Sequence, residues 1–209
     1  MDIPEFYLNH ISASAENAGD IIRLRYKDLL RAGLSPSEAK LVADPDNENH
    51  VERQIYLLDE FPERYLGAIA LKSDRMVGYS NISEWTLSDQ LPFCGFVEQL
   101  AMRAMIKCGY NRSLEHPLGI QELVVDKVHG RKEIIDVLVD RAIQIAETSE
   151  IRTAQYDDRT VFSSLQDNSF VPTKGRKDLP NGLRRLYIRP YPAPEPDYGY
   201  NKGIAKIWH

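Results

Sequence analysis

The residue types most often used for metal or nucleophile chemistry are scattered in this chain. His10, His50, His116, His129 and His209 form no group with Cys or Asp at ligand spacing. Neither a Ser–His–Asp order nor a glycine-rich Gly-Lys phosphate loop is present. Cys94 and Cys108 lack metal spacing and cannot build a disulfide framework. In their apolar stretch they read as small hydrophobes. What remains is proton chemistry on strand-like segments, with a basic turn nearby. Glu122 interrupts the apolar run 120–125 and alternates with Leu123, so one of the two side chains turns away from the core. Tyr156 and Tyr187 end or occupy later strands, where ring packing is the commoner use of tyrosine. His129-Gly130-Arg131-Lys132 reads as a turn entering a helix.

The composition narrows what these groups could act on. Formal net charge is −5, from 26 basic and 31 acidic residues, with no basic run. A nucleic-acid or anionic-membrane footprint is therefore not expected. No stretch has the length to span a bilayer, and the first residues have neither a basic nor a continuous apolar region. With two unpaired cysteines, a reducing cytosol is the expected location, and Asn111-Arg112-Ser113 reads as a chance glycosylation triplet.

The elements that must position the candidates follow from periodicity and turn chemistry. Residues 6–11 alternate as a first strand. Ser14 opens a helix carrying Ile21, Ile22, Leu24, Leu29 and Leu30, stopped by Gly33. Ser35-Pro36 opens a short helix, and a third follows Asp44-Pro45 with Val51, Ile55 and Leu58 on one face. Residues 65–71 and 76–83 form a hairpin around Lys72-Ser73-Asp74-Arg75. A looser region leads to an apolar helix, 93–108, that reads as buried packing material. Residues 120–125 are a strand, and 131–147 an amphipathic helix with Ile134, Ile135, Leu138, Ala142 and Ile145 near one stripe. Residues 151–156 are a strand, Asp158 caps a helix to about 166, and 170–171 and 183–188 supply the last strands. The result is an α/β (α+β) chain with one domain over 1–189, an insertion at about 85–119, and an extended Pro-rich tail over 190–209.

This order of elements resembles the GNAT N-acetyltransferase superfamily over roughly residues 6–189. The hairpin with its Val77-Gly78-Tyr79, the strand Gln121-Glu-Leu-Val-Val125, and the late helix ending in Ser169-Phe170, where the family usually has Gly-Phe, carry the likeness. The resemblance implies a mixed, mostly antiparallel sheet flanked by helices, and direct acyl transfer from acetyl-CoA or another acyl-CoA to an amine, without a metal. It implies that the fourth strand splays from the fifth and leaves the main chain of Leu123, Val124 and Val125 to the pantetheine arm. The next helix would turn its N-terminus, with Gly130, Arg131, Lys132 and Ile134, to the pyrophosphate. Glu122 becomes the candidate general base and Tyr156 the candidate acid.

Two departures stand beside the likeness. Gly130, Glu133 and Ile135 occupy the three signature positions of the phosphate motif, which in the family are Gln/Arg, Gly and Gly/Ala. A carboxylate ~4 Å from the pyrophosphate would cost about 4 kcal/mol at an effective dielectric of ~20. It does so unless Arg131 and Lys132 compensate or Glu133 turns outward. Leu165 stands where family members often carry a tyrosine acid. Two readings result: an N-acyltransferase acting on a small-molecule or protein amine, and a GNAT-fold binding module that has lost acetyl-CoA. The insertion shapes an acceptor pocket or makes a homodimer contact.

Overall fold

The computed structural model describes residues 6–71, 73, 75–112, 117–126, 131–146, 149–156, 158–179 and 182–190. In chain order the elements are β1 (Phe6–His10), α1 (Ala15–Arg31), α2 (Pro36–Val42), α3 (Glu48–Glu60), β2 (Tyr65–Ala70), β3 (Met76–Glu84), α4 (Leu87–Gln90), α5 (Phe96–Lys107), β4 (Leu118–Val125), α6 (Arg131–Ala146), β5 (Ile151–Tyr156), α7 (Arg159–Asp167), β6 (Val171–Leu179) and β7 (Gly182–Arg189). The strands form one seven-stranded sheet in the order β1-β2-β3-β4-β5-β7-β6. Every neighbouring pair is antiparallel except β4 and β5. The expected mixed, mostly antiparallel architecture is therefore present. The tail from 191 onward, Gly130, and the 72–75 turn apart from Ser73 and Arg75 lie outside the described residues.

Local chemistry explains the helix boundaries. Ser14 accepts from the Asn17 N–H to start α1, and Ser35 with Glu38 makes a reciprocal cap for α2 with Pro36 at the first position. Asp158 accepts from the Thr160 and Val161 N–H groups to start α7. That helix ends with the Phe170 N–H on the Leu165 carbonyl and Ser169 at φ 65°. This left-handed position is one that glycine fills without cost, which accounts for serine standing out against the family's usual glycine.

Each face of the sheet has its own core. On one face α1 and α3 bury Ile21, Leu24 and Leu58 against Tyr79 and Val124. On the other, α6 and α7 bury Ile134, Leu138 and Leu165 against Leu123 and Val125. A third, smaller cluster joins Trp85 and Phe93 of the insertion to Ala154 and Leu186. It lies on the opposite face from Tyr187, so the insertion shields β5 and β7 beside α1.

Three expectations change. Residues 87–93, read as loose, hold α4 and a single 3-10 turn. The final hairpin extends β6 to Leu179, because main-chain pairing with β7 carries a polar stretch that periodicity cannot show. The apolar helix expected to be buried is α5, and it buries no residue. Gln99, Met102 and Ile106 alone turn partly inward, and the rest of the helix is exposed. An apolar stripe ordinarily faces the core, so sequence pointed to burial of the side that the structure turns outward.

Candidate functional site

The site starts from one extra residue in β4. Ile82 pairs with Ile120 and Asn81 with Glu122, leaving Gln121 without a counterpart on β3. Such a bulge bends its strand and puts two successive side chains on one face. Gln121 and Glu122 both turn toward α1 and the insertion. Gln121 Nε2 donates to Asp89 Oδ2 at 3.1 Å, and Glu122 Oε2 accepts from Arg25 Nη2 at 2.7 Å and Tyr79 OH at 3.0 Å.

Beyond the bulge β4 leaves β5. Their parallel pairing covers Leu118–Ile151 to Ile120–Thr153 and goes no further. The Asp126 N–H bonds the Val77 carbonyl at 2.8 Å, so alternation turns the main chain of Val124 and Glu122 to β3. The N–H and C=O groups of Leu123 and Val125 therefore face the gap. On the opposite wall the Leu118 N–H bonds the Glu150 carbonyl at 2.9 Å, which by the same alternation aims the Ala154 carbonyl into the gap. The predicted splay is present. Of the three residues assigned to it, Leu123 and Val125 offer main chain to the gap, while Val124 faces β3 and buries its side chain under α1.

Charged side chains already reach into this gap. Arg31 of α1 donates from Nη1 to the Val125 carbonyl at 2.8 Å and from Nη2 to Asp126 Oδ1 at 3.1 Å. Lys27 binds the same carboxylate at 2.7 Å, and Arg23 stands 3.7 Å away. From β7, Arg184 Nε donates to the Ala154 carbonyl at 2.9 Å. Arg131, the first residue of α6, pairs with Asp158 at 2.9 Å, and its Nε is buried with no partner among the described residues. Burial works against the Asp158 charge, but Arg131 and the Val161 and Thr160 N–H groups hold its carboxyl below the ordinary value.

Asp28 of α1 sits among these groups. Burial pushes its carboxyl from an ordinary 3.8 up to about 6, with Glu122 adding to the rise and Arg31, Arg131 and Arg184 opposing it. Tyr79 is likewise pushed well above 10, first by burial and then by Glu122. Arg25, Asp28 and Arg31 fall three residues apart on one side of α1, so the helix turns a charged stripe onto the sheet. This spacing was the available signal for Asp28, Arg25 and Arg31, and a search for apolar periodicity passes over it. Arg184 depends on strand pairing and carries no local signal, and Tyr79 was legible only as part of the hairpin's Val77-Gly78-Tyr79.

The remaining predicted residues take plainer positions. Lys132 is tied to Asp136 at 2.8 Å and Asp167 at 2.9 Å, and its pKa rises through those bonds. Ile134 and Ile135 are buried in the core. Glu133 is exposed, on the side of α6 turned away from the buried Ile134 and Ile135. Leu165 is fully buried, and Tyr187 packs within the core with its ring tilted against Phe162, 6.2 Å between ring centres. The side chain of Tyr156 lies outside the described residues.

Beside Gln121 a polar groove of about 840 Å3 opens between the sheet end and the insertion, lined by residues including Arg64, Glu84, Asp89, Tyr110 and Arg112. Among the described residues no His, Cys, Asp or Glu group could hold a metal ion, and no helix is long and apolar enough to cross a membrane.

Solved structures share this fold. An N-acetyltransferase from Staphylococcus aureus Mu50 matches with a TM-score of 0.56 at 10% identity, over 87% of this chain and 99% of its own. The chain has the GNAT fold. The PaiA N-acetyltransferase from Thermoplasma acidophilum, solved in complex with coenzyme A, gives a TM-score of 0.54 at 13% identity, over 87% and 97%. A chain of the NatC complex bound to Gag peptide and CoA gives 0.53 at 16%, over 88% and 97%. No family model and no curated protein matches the sequence. In this chain the bulged β4 departs from β5, and Arg31 and Arg184 reach into the gap.

Proposed function

We propose that the chain is an N-acyltransferase that moves an acetyl or other acyl group from CoA to an amine. The observation that carries this reading is the gap past Ile120 and Thr153, with the Leu123 and Val125 main chain open toward it. An extended ligand with alternating amide groups can pair with such an edge as a strand would. Arg31, Arg131 and Arg184 are suited to phosphate oxygens at its wider end. The residues present thus fit CoA, although Gly130 lies outside the described residues. When bound, CoA supplies the activated acyl thioester.

The chain's own contribution is placement and proton handling. An amine entering by the polar groove meets Gln121 and Glu122 side by side. Glu122 accepts both of its hydrogen bonds on Oε2, which leaves Oε1 to receive a proton. Asp28, ionising near pH 6, is a second carboxyl matched to proton transfer near neutrality. A pH–rate profile separates them. If Asp28 is the base, Asp28→Asn removes a limb near pH 6 and Glu122→Gln leaves that limb in place. If Glu122 is the base, Glu122→Gln removes most of the turnover at every pH and Asp28→Asn leaves turnover largely intact.

A second reading, a binding module on the same fold, draws on two observations. Leu165 is fully buried where an acid would stand, and Arg31 already occupies the Val125 carbonyl. Millimolar acetyl-CoA decides between them. The acyltransferase reading predicts a raised melting temperature, lost in Arg131→Glu. No shift with any CoA thioester would sink it.

A further inference from the structure

The outward side of α5 is its apolar side. Stepped at about 100° per residue, Val97, Leu100, Ala101, Ala104, Met105 and Cys108 fall within about 140° of the circumference. Gln99, Met102 and Ile106 define the opposite, inward side. Val97 is 77% exposed, Leu100 53% and Met105 45%, and Phe96, beside the stripe, is 75% exposed. Glu98, Arg103 and Lys107 stay off the stripe. A helix that turns its apolar face directly away from its own protein is built to meet another surface.

We infer that this face is a two-fold interface between two copies of the chain. Pressing two such faces together buries on the order of 1,000 Å2, the lower bound for a specific interface. The stripe is also complementary to itself. In an antiparallel pair centred between Ala101 and Ala104, Val97 of one copy lies opposite Cys108 of the other, and Ala101 opposite Ala104. Small residues along the middle let the helix axes approach to about 8 Å, with Leu100 and Met105 closing the two sides. A two-fold contact needs one patch only, used by both copies. Tyr110 and Arg112, which follow α5 directly, line the groove beside Gln121. The pairing thus steadies one wall of the proposed acceptor entrance.

The test uses the full chain in solution at about 100 µM, with mass read by light scattering. The expected mass is twice 23.9 kDa, and Ala104→Glu halves it with an unchanged circular dichroism spectrum. Under mild oxidation Val97→Cys forms a covalent dimer that Cys108→Ser abolishes. Wild type forms none through Cys108, because its two copies lie about 16 Å apart along the pair. A mass of 23.9 kDa at this concentration overturns the proposal and leaves the face to another occupant. A dimer that survives Ala104→Glu overturns it as well, placing the contact elsewhere.

Discussion

Replacing Asp28 by asparagine should stabilise the protein at alkaline pH and do little in acid. The folded carboxyl ionises near 6 against an ordinary 3.8, because burial outweighs the pull of Arg31, Arg131 and Arg184. Between those values the folded state keeps a proton that the unfolded chain has released. Stability therefore falls as pH rises through this window, and the loss is complete above about pH 6. At 1.36 kcal/mol per pH unit the full effect is about 3 kcal/mol, reduced to about 2 kcal/mol by the partial exposure of α1 here. Asp28→Asn should gain that amount at pH 8, or about 4–8 °C in melting temperature, and about 0.5 kcal/mol or less at pH 4. Urea unfolding of both proteins at the two pH values measures it. Destabilisation at pH 8 would show that the carboxylate is held by the arginines, and would refute the claim that burial dominates.

Other outcomes follow from single contacts. Arg25→Ala leaves Glu122 with Tyr79 alone and should cost about 2 kcal/mol, read by denaturant midpoint; Arg25→Lys should recover only part of it. A Cβ on Gly175 would come within 2.8 Å of the Phe93 carbonyl oxygen, so Gly175→Ala should cost about 1–3 kcal/mol and loosen the insertion from β6. Proteolysis between α4 and α5 should then quicken. Ser169→Gly should raise stability by about 1 kcal/mol, since φ 65° suits glycine better. CoA at ~100 times its dissociation constant should add about 2.7 kcal/mol to unfolding in calorimetry, an effect absent in Arg131→Glu.

Much of the fold was legible because its cues are local. Caps at Ser14, Ser35 and Asp158 and the apolar stripe of α6 mark the elements that the sheet later orders. The resemblance carried the gap itself, through the strand at 121–125. Its contents were not legible. Periodicity reports where apolar residues fall, so it found the Ile21 and Leu24 side of α1 and missed the Arg25–Asp28–Arg31 stripe turned to the sheet. The bulge at Gln121 exists only relative to β3, and no feature of β4 alone announces it. The same limit hid the exposure of α5, whose covered side depends on what the insertion packs against. Glu133, which looked like an obstacle at the phosphate motif, is exposed, and Ile134 and Ile135 anchor the other side of that turn in the core.

The central claim is that the open edge of β4 receives the pantetheine arm of CoA. Residue-resolved amide hydrogen exchange, with and without saturating CoA, tests it most directly. Leu123 and Val125, whose N–H groups face the gap, should slow by at least tenfold, while Val124, already paired with β3, should barely change. Slowing at none of these amides, or at Val124 alone, would contradict the account.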